Sequence, residues 1–297
     1  MKIEVDEDIR VAKTIPSKFY HSRKVFSRLK ELFNKSWQLV GNTDLLESNN
    51  VCPDILLEGL LNEPYILTKK GKEIRCLSNV CTHRGNIVCE EACKTKNLVC
   101  GYHGRQFEVD GKMQFMPEFD DVADFPSKDD NLPEIEMESW KNLIFIINDK
   151  KCDLSELIGP MAERLDWLPV NEFKYKPELS RTYKVNANWA LYCDNYLEGF
   201  HIPFVHKDLN KELEYEDYFM QGIENTVLQI GIGKGSDLLS REDGYYKSAY
   251  KILLPEEARK VTDRLQNVPG FSALEENILE KINRGAEDAA SKAKPIF

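Results

Sequence analysis

Several features are missing from this 297-residue sequence. No stretch approaches the ~20 apolar residues that a membrane span needs, and the acidic start, MKIEVDEDIR, lacks the apolar core of a secretory signal, so we expect a cytoplasmic protein. Basic residues are in deficit, and the net charge of −10 argues against a nucleic-acid partner bound through its phosphates. Eight cysteines without a signal indicate metal ligands and reduced thiols rather than disulfides.

The first half of the chain contains two kinds of pattern. From Ser17 to Lys35 the apolar residues recur at helical spacing, which predicts an amphipathic helix capped by Ser17 in an N-terminal segment, 1–35. Residues 36–150 instead contain short apolar runs broken by turn residues, which predict an all-β domain. Strands are expected over 36–41, 64–68, 74–77 and 143–147, with hairpin turns at 69–72 and 110–111.

The second half, 151–297, has a mixed pattern, and we place a domain boundary near residue 150. Helices are expected over 154–168 and 186–206, strands over 179–185 and 226–232, and further helix from 256 onward. No G-x-G-x-x-G loop that opens a helix occurs, so a nicotinamide cofactor is not expected to bind this chain.

Two short segments carry the first candidate metal ligands. The segment CTHRG contains Cys81 and His83, and after sixteen intervening residues the segment CGYHG contains Cys100 and His103. Two thiolates and two imidazoles can hold either a zinc ion or a [2Fe–2S] cluster. Unrelated residues in β-turns are the plain alternative, although only five histidines occur in the chain and two of them have this spacing. Cys89 and Cys93 lie between the segments and are interpreted as buried or free thiols.

These two segments resemble the cluster-binding loops of Rieske proteins. The resemblance implies that Cys81 and Cys100 bind one iron of a [2Fe–2S] cluster as thiolates, and that His83 and His103 bind the other as neutral imidazoles. The glycine that ends each segment would let backbone N–H groups approach the sulfides. Neither segment has the additional cysteine that forms a disulfide in some Rieske proteins, which is similar to the centres of oxygenases and their ferredoxins.

A second pair of histidines, His201 and His206, lies on either side of Pro203. Their spacing of five does not align two side chains on an unbroken helix, but a proline distorts the turn and can bring both rings to one ion. Two histidines and one carboxylate with open positions form the facial triad of non-haem Fe(II) enzymes, where O₂ and substrate both approach the metal. The plain alternative is a pair of helix histidines with hydrogen-bonding roles.

The segment from Asn195 to His206 resembles the iron-site helix of Rieske non-haem iron oxygenase α subunits, in particular the choline monooxygenase-like branch. The resemblance implies an α+β chain, in which a Rieske all-β domain precedes a helix-grip-like α+β catalytic domain with one Fe(2+). It implies that Glu198 bridges the Rieske centre of one subunit and the iron of the next in a homotrimer. Asp194, one helical turn earlier, is a weaker candidate that is plainly interpreted as a solvated or capping carboxylate.

The third iron ligand is less defined. In the family it is an Asp on a C-terminal helix, and only 91 residues follow His206 in this sequence. Candidates are Asp243, Asp263 and Glu275, and the run that contains Glu275 loosely matches the ligand helix with Glu in place of Asp. A solvated helix face is the plain interpretation of each. Either one of these acids completes the iron site, or the C-terminal region is altered and the site is impaired.

The resemblance implies the oxygenase component of an enzyme that takes electrons from NAD(P)H through a separate flavin and iron–sulfur reductase. O₂ and a small organic substrate would meet at the iron, for hydroxylation or oxidative demethylation. The choline monooxygenase-like branch indicates a small quaternary or methylated amine, which an aromatic cage would suit. Tyr196, Phe200, Phe204 and Tyr218 are near the second histidine pair and are interpreted as core packing.

Two other classes of protein compete with the oxygenase. One is a Rieske electron-transfer protein with an impaired iron site, which would need only residues ~36–150. The other is a metal-stabilised binding module, in which zinc would substitute freely and no redox-active absorbance would appear. Iron content distinguishes the three classes.

Overall fold

The computed structural model describes residues 6, 8, 10–165, 169–223 and 226–233. The chain divides into two compact units. The first is Met1–Leu154 with Val170–Asn186, and the second is Ser155–Pro169 with Ala187–Phe297. The expected domain boundary near residue 150 stays a prediction. Across the described ranges, no helix is long and apolar enough to cross a membrane.

Two helices open the first unit, α1 (Lys18–His21) and α2 (Arg23–Asn34). They are separate because Ser22 leaves helical geometry, with ψ at 116°, and its hydroxyl accepts a hydrogen bond from the Val25 N–H at 3.4 Å. That is the geometry of a helix N-cap. The prediction of a single helix capped by Ser17 was therefore wrong, since Ser17 has helical φ and ψ and makes no capping hydrogen bond.

The strands of the first unit form two sheets and confirm the expected β character. In chain order the elements are β1 (Gln38–Asn42), α3 (Leu45–Ser48), β2 (Val51–Leu56), β3 (Glu63–Lys70), β4 (Glu73–Ser78), β5 (Asn97–Val99), β6 (Gln106–Glu108), β7 (Met113–Phe115), β8 (Glu134–Trp140) and β9 (Leu143–Ile147). One sheet has the antiparallel order β1-β9-β8-β4-β3-β2, and the other is β5-β6-β7. Both expected hairpin turns are present, with Gly71 and Gly111 at positive φ.

Strands β3 and β4 are buried on both faces, and neighbouring residues belong to different cores. Ile66 and Leu77 contribute to the cluster-side core, whereas Leu67 and Cys76 contribute to the second core. This follows from the two-residue period of a strand. The cluster-side core comprises Val51, Ile66, Leu77, Cys81, Val88, Leu98, Cys100, Phe107, Val109, Met113, Met116 and Leu132. The second core comprises Leu46, Leu56, Tyr65, Leu67, Cys76, Ile144 and Ile146.

The described part of the second unit contains helices and a β-hairpin. The elements are α4 (Leu154–Leu165), α5 (Trp189–Tyr196), α6 (Ile202–Val205), α7 (Lys207–Glu212), β10 (Leu213–Ile223) and β11 (Thr226–Gly233). The last two strands pair antiparallel, and the Thr226 hydroxyl donates to the Leu157 carbonyl at 2.5 Å, which joins β11 to α4. The mixture of helix and sheet confirms the α+β class.

Two expectations for the second half of the chain were wrong. The helix predicted over 186–206 is broken into α5 and α6, with a turn between them. The strand predicted over 179–185 is absent: a 3₁₀ turn at Pro177–Leu179 leads into irregular chain. Tyr183 in this segment is 82% exposed, so it packs on none of the sheets formed by the described residues. A strand needs a hydrogen-bonding neighbour, which a local pattern does not supply.

Candidate metal centres

Two loops with the same backbone hydrogen-bond pattern carry the first four candidate ligands. In each loop the cysteine N–H donates to the carbonyl five residues later, at 2.8 Å for Cys81 and 2.9 Å for Cys100. The glycine four residues after each cysteine, Gly85 or Gly104, donates its N–H back to the cysteine carbonyl at 3.0 Å. Both glycines have left-handed backbone, with φ of 73° and 72°, which favours a residue without a Cβ.

The loops bring the candidate ligands together in pairs of one type. The rings of His83 and His103 lie 4.7 Å apart between centroids at an angle of 71°. The thiols of Cys81 and Cys100 are buried and close enough to hydrogen-bond to each other. A Rieske cluster needs this separation, because one iron takes the two thiolates and the other takes the two imidazoles.

The same pairing argues against zinc. A structural zinc ion draws four ligands to one point. Here the two imidazoles pair with each other and the two thiols pair with each other. The four candidate ligands therefore fit a two-iron group better than one zinc ion.

The surroundings of two of these side chains, His83 and Cys100, favour the forms that bind metal, whereas burial raises the pKa of Cys81. His83 Nδ1 is buried and has no hydrogen-bond partner among the described residues, so a metal would satisfy a nitrogen that is otherwise costly to bury. Burial, together with nearby positive charge that includes Arg105, lowers the pKa of His83 and favours neutral imidazole. Burial opposes ionisation of Cys100, but hydrogen bonds from the backbone N–H of Tyr102, from the Cys81 thiol and from other donors lower the pKa of Cys100 overall.

Sequence reasoning missed the residues that hold the loops in place. The Asn86 side-chain amide of the first loop donates to Cys100 Sγ in the second at 3.7 Å. Arg105, directly after the second loop, is only 3% exposed. The sequence could have predicted this burial. Arg105 alternates with the apolar residues Phe107 and Val109, alternate residues of a strand share one face, and all three are buried.

Cys89 and Cys93 are free thiols that are half-buried against the cluster-side core. Burial, together with electrostatic repulsion from the neighbouring Cys93 sulfur, raises the pKa of Cys89 to about 11. At neutral pH Cys89 is therefore a thiol rather than a thiolate, in keeping with its interpretation as a plain cysteine.

The second pair of histidines lies at the two ends of α6. His201 immediately precedes this helix and His206 follows it, and their rings lie 5.0 Å apart at 71°. The pair is brought together by a one-turn helix between two breaks. Glu198 accepts a short hydrogen bond from His201 Nδ1 through its carboxylate. Burial opposes ionisation of Glu198, but this bond and the Phe200 N–H lower its pKa overall.

That hydrogen bond defines what His201 can do. When the Nδ1–H group of His201 donates a hydrogen bond to Glu198, the lone pair of the ring is on Nε2. Metal-ligating histidines are usually oriented in this way. The geometry suits His201 and His206 to a shared metal ion. The third ligand is not supplied by the described residues, in which no group of three ligating side chains converges.

The remaining candidates are placed as follows. Asp194 is exposed on α5. Asp243, Asp263 and Glu275 lie outside the described residues. Glu198 is thus a candidate acid that the structure brings into contact with a candidate iron ligand, His201.

The aromatic residues of this region are not packed in a core. Tyr196, Phe200 and Phe204 are each more than 70% exposed, so the expectation of core packing was wrong for them. Tyr218 is half-buried and lies against the backbone of Gly199, where an added Cβ would come within 2.8 Å of its ring. Tyr196, Phe200, Phe204 and the nearby Val205 are therefore exposed apolar side chains close in sequence to the candidate iron ligands.

Comparison with known proteins first defines the class. Residues 36–126 match the family described as the Rieske [2Fe-2S] domain, a range that contains all four ligands of the first centre. The chain therefore contains a Rieske domain.

Comparison with whole chains then places the protein within that class. It is 31% identical to the carnitine monooxygenase oxygenase subunit of Escherichia coli (strain K12) over 75% of this chain and 60% of that one. It is 29% identical to the chloroplastic choline monooxygenase of Beta vulgaris over 79% of this chain and 52% of that one. The crystal structure of the quaternary ammonium Rieske monooxygenase CntA in complex with substrate L-carnitine matches with a TM-score of 0.65 and 26% identity, over 74% of this chain and 63% of that one.

The chain thus contains a Rieske [2Fe-2S] domain and is similar, over about three quarters of its length, to the oxygenase subunit of carnitine monooxygenase and to choline monooxygenase. It spans about half to three fifths of the length of these curated relatives. Residues 216–297 also match a second family, described as a protein of unknown function (DUF4197).

Proposed function

We propose that this chain is the oxygenase component of a Rieske non-haem iron monooxygenase or dioxygenase. The observation that carries the proposal is the pair of equivalent loops that separate two thiols from two imidazoles. Cys81 and Cys100 bind one iron of the cluster, and His83 and His103 bind the other. When bound, the cluster supplies one-electron transfer, and the mononuclear iron supplies O₂ activation.

His201 and His206 bind the mononuclear iron, and Glu198 positions the first of them. Support comes from the 5.0 Å ring pair and from the hydrogen bond that fixes one tautomer of His201. A carboxylate on Nδ1 also raises the basicity of the ligand nitrogen. Asp194 is a second, weaker candidate for the role of Glu198, and Glu275 is a candidate for the third iron ligand.

The substrate class that the relatives support is a small quaternary ammonium compound. The relatives' names specify choline and carnitine, and the CntA structures include complexes with L-carnitine and γ-butyrobetaine. NAD(P)H would supply electrons through a separate flavin and iron–sulfur reductase, because such oxygenase subunits work with a reductase.

The assembly that we propose is a homotrimer in which Glu198 of one subunit faces the Rieske centre of the next. Two observations support it. One CntA structure is described in terms of inter-subunit electron transfer. The apolar side chains of Tyr196, Phe200, Phe204 and Val205, all within ten residues of Glu198, are exposed in the single chain and could be covered by a neighbouring subunit.

A Rieske electron-transfer protein with an impaired iron site is the second candidate. One observation favours it: residues 216–297, which include the candidate third ligands Asp243, Asp263 and Glu275, match a family other than the Rieske domain.

Iron and acid-labile sulfide content under anaerobic conditions distinguishes the two. The oxygenase should contain about three irons and two sulfides per chain, and the His201→Ala/His206→Ala variant about two irons and two sulfides. His21→Ala is the matched control, because His21 is in α1 and belongs to neither histidine pair. Two irons and two sulfides in all three proteins would establish the electron carrier. Zinc in place of iron, without visible absorbance, would exclude both.

A further inference from the structure

A buried ion pair lies directly behind the cluster loops. The Arg105 guanidinium contacts the Asp130 carboxylate at 2.5 Å, and their side chains are 4% and 24% exposed. The other groups around the guanidinium are poor counterions: Met113 Sδ at 3.2 Å and the rings of Phe107 and Phe125 at 5.8 and 5.6 Å. A cation in such surroundings depends on its carboxylate partner, because an unpaired buried charge is strongly destabilising.

Asp130 also contacts the other loop. The hydroxyl of Thr82, which lies between Cys81 and His83, donates to the Asp130 carbonyl at 2.7 Å. Arg105 comes two residues after His103. One residue, more than 20 positions from either loop, therefore binds the first loop through its carbonyl. It binds Arg105, directly after the second loop, through its carboxylate and also through the same carbonyl at 3.4 Å.

Asp130 is itself held by local structure. It ends a 3₁₀ turn at Lys128–Asp130, and Ser127 forms a capping box with it. The Ser127 N–H and hydroxyl both donate to Asp130 Oδ2, at 2.8 and 2.9 Å, which leaves Oδ1 for Arg105. Both carboxylate oxygens are thus committed, and the position of Asp130 does not depend on the cluster loops alone.

We propose that Asp130 is a positioning residue that holds the two cluster loops in register and balances the charge of Arg105 beside the cluster. The inference rests on the proposed Rieske centre. It has two separable consequences. The link between loops sets the spacing of the thiol and imidazole pairs, and therefore iron retention. The charge balance sets the reduction potential, because an uncompensated cation favours the reduced cluster, which carries one more negative charge.

The test compares Asp130→Asn with Asp129→Asn in the cluster-loaded full chain. Both remove one carboxylate from the same turn, but Asp129 is exposed and does not contact the loops through its side chain in any described hydrogen bond. For Asp130→Asn we expect an upward shift of the midpoint potential in a dye-mediated titration and an iron affinity lower by about 10-fold or more in a chelator challenge. Asp129→Asn should match wild type in both.

Two further variants separate the consequences. Thr82→Val keeps the shape of the side chain and removes only the hydrogen bond to Asp130, so it should weaken iron retention without raising the potential. Asp130→Glu restores the charge and should return the potential toward the wild-type value. It also keeps the test informative where Asp130→Asn folds poorly.

The outcomes are distinct. Equal potentials and equal iron retention in Asp130→Asn and Asp129→Asn, with an intact cluster in wild type, would overturn this inference and leave the proposed function standing. A wild-type chain without a [2Fe–2S] spectrum would overturn the proposed function and this inference with it. A raised potential in Asp130→Asn that Asp130→Glu reverses would establish the positioning role.

Discussion

Replacing Gly104 with alanine should destabilise the protein more than replacing Gly85, although the two glycines occupy equivalent loop positions. Both residues have left-handed φ, where an L-residue costs about 1–2 kcal/mol. A Cβ added to Gly85 meets only Val80 Cγ1 at 4.0 Å, so the backbone cost stands alone. A Cβ on Gly104 would lie 3.3 Å from Pro117 Cγ, and a rigid ring cannot rotate away, so about 1 kcal/mol more is expected.

Thermal unfolding of the loaded protein checks these magnitudes. At roughly 2–4 °C per kcal/mol for a unit of this size, Gly85→Ala should lower Tm by roughly 2–8 °C and Gly104→Ala by roughly 4–12 °C. Gly101→Ala is the matched control in the same loop, since its Cβ would have nothing within 4 Å and its φ is not positive. If Gly101→Ala lowered Tm as much as Gly104→Ala, or if neither Gly85→Ala nor Gly104→Ala lowered Tm, the left-handed backbone would not be the cause of the destabilisation.

Three further predictions concern other parts of the chain. Glu198→Ala should lower the affinity of the mononuclear site for Fe(II) by about 10- to 100-fold, read by iron content at limiting metal, while the cluster absorbance is unchanged, because His201 loses the partner of Nδ1. Asp44→Asn should lower the free energy of unfolding by under about 1 kcal/mol at pH 7, because, although burial opposes ionisation of Asp44, the ion pair with Lys174 lowers the pKa of Asp44 in the folded protein. Well below pH 3.8 the carboxylate is protonated and the substitution should have no effect on stability. Denaturant unfolding at both pH values measures the difference. In timed alkylation of the native protein at pH 7.5, followed by mass spectrometry, exposed Cys193 should react before Cys89, whose pKa is raised by burial to about 11; the reverse order would contradict the assigned burial.

Much of the first unit could be predicted from local sequence. Alternating apolar runs and glycine turns determine hairpins within a few residues, so β3 and β4 and the turn at Gly71 were expected. The ligand segments could also be recognised, because each one supplies a cysteine and a histidine at short spacing and ends in glycine.

What could not be predicted depends on partners distant in sequence. The irregular segment after Leu179 has the composition of a strand, but none of the strands that the structure describes pairs with it. The split between α1 and α2 depended on which of two serines, Ser17 or Ser22, acts as the cap. The link from Arg105 to Asp130 crosses 25 positions, and nothing in either local pattern specifies the other residue.

The two-sided burial of β3 has a consequence for sequence change over evolution. Because Ile66 and Leu67 face different cores, a one-residue insertion or deletion in this strand would exchange every later side chain between the two faces. Both cores would lose their packing at once. We therefore expect length variation among relatives to be confined to connections such as the turn at 69–72, while β3 and β4 keep a constant number of residues.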